Sequence, residues 1–303
     1  MASSNPAFNN PAFQDPRAVK SYPGGSNAAG IGLTPPPPAS QKVDVGTEAR
    51  LEGAYAGPPA GAVETGRMTV EDTVHKTLAL FAVLVVGAVA GWIWTMAGVT
   101  TANPNPSVAP MLIGALVGFV LSMVVIFGSR KKVRPALIFV YAAFEGLFVG
   151  GISAFFEFMW PGIVVQATLA TLAVVGVTLA LFASGKVRAS KKATKVFMIA
   201  MIGYLVFSLL NVGLMLFNVF PADQMFGLRS ATIFGIPLGL IIGVLVVIMA
   251  AYSLVLDFDS IQQGVRNGAP RQYGWMGGFG IMVTVVWLYL EILRILAILR
   301  GNN

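Results

Sequence analysis

The chain has no cysteine and a single histidine, His75. No disulfide frame, thiolate metal site or histidine cluster for zinc or iron can be built from it. Charge is scarce as well: 11% of residues are charged, 56% are hydrophobic, and the mean hydropathy is +0.76. A soluble domain of this length could not cover so much apolar surface, so the composition is that of an integral membrane protein. The net charge of +7 is unevenly spread, because residues 67–303 carry sixteen Lys/Arg against eight acids while residues 1–66 carry four against five. The basic residues fall in short clusters at the ends of apolar runs, where membrane topology accounts for them, and nucleic-acid binding is not expected. A metal-dependent intramembrane hydrolase would need histidines beside carboxylates, and a retinal protein a lysine in its last span. Neither is present, so the expectation is a protein that is not an enzyme and has no cofactor.

Residues 1–66 are rich in Pro, Gly, Ala, Ser and Asn, include Pro35 to Pro38 in a row, and show no sustained apolar period. This is the composition of a disordered tail, here expected on the cytoplasmic side. A short motif occurs twice in it, Asn5-Pro6-Ala7-Phe8 and Asn10-Pro11-Ala12-Phe13, and could dock an aromatic side chain on a partner. No apolar core follows a basic start, so a cleaved signal peptide is not supported. Thr69-Val70-Glu71-Asp72 then has the pattern of a helix start, with a hydroxyl to cap and acids at the positive helix end. His75 falls in this first turn and reads as a solvated surface residue.

From here apolar runs long enough to span a bilayer recur. Seven are expected, approximately Lys76–Gly98, Met111–Gly128, Arg134–Phe156, Gly162–Ser184, Thr194–Phe220, Ala231–Leu256 and Tyr273–Leu299. The connections after runs two, four and six hold eleven basic residues, namely Arg130, Lys131, Lys132, Arg134, Lys186, Arg188, Lys191, Lys192, Lys195, Arg266 and Arg271. The alternate connections hold only Arg229. Basic residues collect on the cytoplasmic side, so the amino terminus is expected inside and the carboxyl terminus outside, in the plasma membrane. Glycines at four-residue spacing, Gly87/Gly91, Gly114/Gly118, Gly146/Gly150 and Gly235/Gly239/Gly243, would let helix backbones approach closely in lipid. Pro237, inside the expected sixth run, should bend that helix.

Only six acids follow Asp72. Glu157 and Asp223 fall in short outer connections and read as solvated. Glu145 lies inside the third run and Glu291 deep in the seventh, where an ionisable group is costly and marks a functional site by default. Arg294, three residues after Glu291, could pair with it along one helix face. Asp257 and Asp259 close the sixth run, where acids oppose the helix macrodipole. Contact between Asp257 and Glu291 depends on where the last helix begins. A start at Tyr273 would carry Glu291 about 27 Å along the helix, too far for contact; a start near Ile281, with Trp275–Gly280 at the interface, would put it about 15 Å deep. The second geometry is the expected one.

The segments Phe144-Glu-Gly-Leu-Phe-Val-Gly-Gly-Ile-Ser153, Leu256-Asp-Phe-Asp-Ser-Ile261 and Leu288-Tyr-Leu-Glu-Ile-Leu293, in this order on seven spans, resemble the Bax inhibitor family, including its bacterial YccA-like members. The likeness covers roughly residues 70–300. It implies an all-α bundle of seven transmembrane helices with the last helix central, occupying residues 67–303. It also implies a pH-sensitive calcium leak gated by a carboxylate pair. Carried over, the pair is Asp257 and Glu291, with Asp259 where Gln is usual and Glu in place of the usual Asp on the last helix. Glu145 and Arg294 are supporting polar residues. Two carboxylates close together in low dielectric resist ionising together and titrate as a unit. With nearby carbonyls Asp257 and Glu291 could offer calcium a weak, transient metal site. The implied partners are the lipid bilayer, calcium and protons. The alternative is a non-conducting membrane regulator that binds a membrane protease or stress-response complex.

Overall fold

Thr69 caps the first helix as its sequence requires: its side chain accepts from the Asp72 backbone N–H at 3.1 Å, and the helix begins at Val70. The structure is a computed structural model and describes residues 66–301 apart from 102, 130, 131, 222 and 223. The repeated Asn-Pro-Ala-Phe motif, the rest of the tail and Asp223 lie outside the described residues.

Seven helices are long and apolar enough to cross a membrane. They are α1 (Val70–Met96), α2 (Ala109–Gly128), α3 (Pro135–Met159), α4 (Ile163–Ala183), α5 (Lys191–Leu216), α6 (Leu238–Arg266) and α7 (Gly274–Gly301). Between α5 and α6 lie a 3-10 turn at Gly227–Ser230 and a hairpin of two short strands, β1 (Thr232–Ile233) and β2 (Ile236–Pro237).

The last helix is the axis. It packs against α6, α1, α4 and α3, and half of its most apolar stretch is buried, against 6% for α5. Two apolar clusters meet along it. One joins Leu80, Leu84, Ile138 and Tyr141 to Phe279 and Met282; the other joins Phe156, Ile163 and Leu254 to Leu288 and Leu293. The most extensive helix pairing is α1 with α3, made possible by glycine. A Cβ on Gly87 or Gly91 would run into the carbonyls of Ala143 or Leu147, and one on Gly146 or Gly150 into those of Leu84 or Ala88. Backbone therefore touches backbone, the contact that four-residue glycine spacing provides in lipid.

The sixth and seventh helices depart from their expected limits. α6 starts seven residues later than Ala231, because Gly235, with φ +80°, and Pro237 belong to the hairpin. Pro237 is the residue preceding α6, so it bends nothing inside the helix. At the other end α6 runs on through Asp257 and Asp259 to Arg266. Trp275–Gly280 is helical and forms the first turns of α7, with Gly277 and Gly278 against Thr73, Thr77, Leu80 and Ile261. Glycine suits these positions because α1 and α6 come too close for larger side chains.

The start of α1 is stitched to the α6–α7 connection. Met68 donates to the Ala269 carbonyl at 2.7 Å, and Arg271 donates from its backbone to Gly66 at 2.9 Å. Asp72 pairs with both Lys76 and Arg271, and the largely buried Lys76 also donates to the Arg271 carbonyl at 2.6 Å.

Candidate functional site

Asp257 is fully buried at the α6–α7 interface. It lies nine residues before the end of α6, about 14 Å along the helix. Its Oδ2 accepts from the Thr284 hydroxyl of α7 at 2.6 Å. Thr284 is ten residues, about 15 Å, from the start of α7, so the two helices bring matching depths together. The macrodipole cost expected of an acid at a helix end does not arise for Asp257, since the helix continues well past it. Asp259, half-buried and closer to the basic end, accepts from the Gln263 side chain one turn on at 2.7 Å.

Glu291 is also buried, with 1% exposure. It is seven residues beyond Thr284 and so on nearly the same face of α7, about 10 Å further along. The structure does not join it to Asp257. One of its oxygens, Oε2, forms an ion pair with Arg294 and accepts from the Tyr204 hydroxyl of α5 at 2.9 Å. Oε1 has no hydrogen-bond partner and faces Gly243, whose Cβ would lie 3.7 Å from it. With α7 starting at Gly274, Glu291 is about 26 Å along the helix, the arrangement in which direct contact with Asp257 fails.

Glu145 points at α2, where a Cβ on Gly118 would lie 3.2 Å from its Oε2. The carboxylate is thus turned towards protein. Glu157, expected to be solvated, is tied to the backbone instead, since its two oxygens accept from the N–H groups of Gly162 and Val164 at 2.6 and 3.0 Å. It closes α3 and caps α4, where four N–H groups would otherwise be unpaired and the dipole favours an anion. Among the described residues, no three His, Cys, Asp or Glu side chains cluster as metal ligands would.

The sequence pattern does not single out Tyr204, Ser208, Arg229 and Thr284, and in it Arg229 is only the lone basic residue of the outer connections. In the structure Arg229 is 4% exposed and donates to Ser208 at 2.9 Å. Asn211 positions it: the amide oxygen accepts from the Leu228 N–H at 2.8 Å, and the amide nitrogen donates to the Phe226 carbonyl at 3.2 Å. These bonds dock the Gly227–Ser230 turn on α5. A polar residue inside an apolar run, as Tyr204, Ser208 and Asn211 are, is the signal the sequence does carry. Elsewhere, a groove of about 500 Å3 opens between α1, α3, α4 and α7, with Ser153 and Tyr289 among its otherwise mainly apolar lining; their hydroxyls lie 2.6 Å apart.

A family model described as Bax inhibitor 1 like matches residues 5–301. The match takes in nearly all of the tail, which lies outside the resemblance drawn from the three segments. No curated protein and no solved structure matches the chain.

Proposed function

Because the chain belongs to the Bax inhibitor 1-like family, we propose that it is a pH-sensitive calcium leak of the plasma membrane, with Asp257 and Glu291 as its gate. One observation carries the reading: a fully buried carboxylate meets the central helix at Thr284, and a second lies on that helix's same face two turns on. Such positions are costly in a membrane and rarely serve packing alone. Both groups are held, Asp257 by Thr284 and Glu291 by Arg294 and Tyr204. We assign this arrangement to the closed state. Opening releases both carboxylates towards a water-filled path along α7, where oxygen ligands make a weak transit site for calcium. Asp259, nearer the basic end, adds negative charge at the entrance. The two acids do not touch, but both hold the same path closed, so they act as one protonation-sensitive gate.

The orientation that goes with this reading has the basic connections and the amino terminus in the cytoplasm. A reporter fused after Asn303 should then read as extracytoplasmic; a cytoplasmic signal would remove this topology.

The experiment is calcium flux into liposomes containing the purified chain, followed across pH. Wild-type flux should change with pH, and Asp257→Asn and Glu291→Gln should each flatten that dependence. The double variant should differ little from the more affected single one, as for residues acting as a unit. No flux at any pH would refute the leak. If the two single effects simply add, and Arg294→Leu disturbs flux more than Asp257→Asn, the carboxylates are not a coupled gate.

A further inference from the structure

Glu291 belongs to a larger buried group that its ion pair does not neutralise. Arg294 and Arg229 both reach the same Tyr204 oxygen, at 2.9 and 3.4 Å. Among the described residues Glu291 is the one carboxylate bonded to this group, so two guanidinium charges face one acid. The surplus lies inside the helix bundle: Arg294 is seven residues, about 10 Å, from the end of α7.

The donors are also left over. Arg229 bonds to Tyr204 and Ser208 through Nη2, while its Nε and Nη1 are buried without a partner. Arg294 likewise bonds to Tyr204 and Glu291 through Nη2, and its Nε is buried without a partner. The guanidinium of Arg229 lies over the rings of Tyr204 and Phe207, at 5.4 and 5.5 Å from their centroids. Those contacts offset part of the charge but accept none of its in-plane N–H bonds. A buried donor without an acceptor is a standing cost, and a buried cation without an anion a larger one. If Arg229 only fastened the turn to α5, Asn211 would already do so.

We propose that Arg229 and Arg294 form an oxyanion-binding site at the end of the bundle opposite the basic connections, and that its ligand is a phosphate-type group. Unpaired N–H donors on two planar forks match the several oxygens of such a group, the geometry in which arginine outperforms lysine. The cluster reaches the protein surface at Arg294, whose side chain is 25% exposed. The same chemistry is offered by free phosphate from the aqueous side and by the headgroup of an anionic lipid beside α5, the least buried span. The site shares Arg294 with the proposed gate, but its test is independent of the leak reading, because occupancy is read by binding and not by flux.

The test uses the full chain in nanodiscs of zwitterionic phosphatidylcholine. In one arm labelled inorganic phosphate is titrated at constant ionic strength; in the other, phosphatidylglycerol is titrated into the discs. Binding and the thermal midpoint are measured in both. The expected result is saturable binding of one probe, with a rise in midpoint of several degrees. Arg229→Gln should weaken it at least tenfold, and Arg229→Lys, which keeps the charge but loses the fork, should weaken it less. Saturation in the phosphate arm assigns a soluble ligand, and saturation only in the lipid arm assigns a headgroup. Failure of both probes to saturate on the wild-type chain overturns the proposal. So does binding that is unchanged in Arg229→Gln or, should that variant not fold, in Arg229→Lys.

Discussion

Replacing Thr284 by valine removes one hydroxyl and almost nothing else. The hydroxyl donates to the Asp257 carboxyl at 2.6 Å in a fully buried position. A hydrogen bond to a charged group is worth about 1.5–3 kcal/mol. If it exists in the closed arrangement and breaks on opening, its loss shifts the balance towards the open state by roughly ten- to a hundredfold, since about 1.4 kcal/mol corresponds to a factor of ten. Basal calcium flux in liposomes at fixed pH should rise towards that limit in Thr284→Val, to an extent capped by how open the wild type already is. Thr284→Ser, which keeps the hydroxyl, should remain near wild type. Thermal unfolding of both variants separates gating from damage, because a gating effect appears in flux while the midpoint moves by only a few degrees. Flux within twofold of wild type in a folded Thr284→Val protein would refute the idea that this bond holds the gate closed.

Two further outcomes follow from the helix contacts. A Cβ on Gly150 would sit 2.6 Å from the Ala88 carbonyl carbon, where ordinary contact begins at 3.4 Å, so Gly150→Ala must push α1 and α3 apart. Overpacking of this kind costs about 1–3 kcal/mol and should lower the thermal midpoint, whereas Gly203→Ala, which meets nothing within 4 Å, should not. Glu157→Ala leaves the Gly162 and Val164 N–H groups unpaired at the start of α4, at a cost of about 1 kcal/mol. Faster hydrogen exchange confined to the first turn of α4 is the expected sign, and unchanged protection there would count against the capping role.

The spans and their packing faces were legible because lipid imposes simple rules. A span needs an apolar run of a certain length, and close backbone approach needs small residues at every fourth position. Six of the seven runs could be outlined from these rules to within several residues. The sixth was displaced at both ends for reasons hydropathy does not carry. At its start Ile233, Phe234 and Ile236 are apolar but form a hairpin, with Phe234 and Gly235 at positive φ. At its end the helix continues through polar residues because Asp257 and Ile261 are covered by neighbouring helices. The glycine-rich Trp275–Gly280 segment, expected at the interface ahead of the span, forms the first turns of α7, and its glycines fit the close approach of α1 and α6.

The sequence by itself determined that this chain lives in a membrane, that it crosses seven times, and that Glu291 and Glu145 lie inside apolar spans, where charge is costly. Composition and spacing along one helix suffice for that, since both are read without knowing any neighbour. Only the tertiary structure decided the neighbours: Thr284 for Asp257, Arg294 and Tyr204 for Glu291, and α2 for Glu145. It also decided that Arg229, an ordinary loop residue in the sequence, is buried beside Glu291's own partners. The physical reason is that helix periodicity relates residues only within a helix. The rotation and vertical offset between helices, which choose the partners, come from side-chain packing, and α7 is apolar nearly all round and gives no periodic cue as to which face meets which helix.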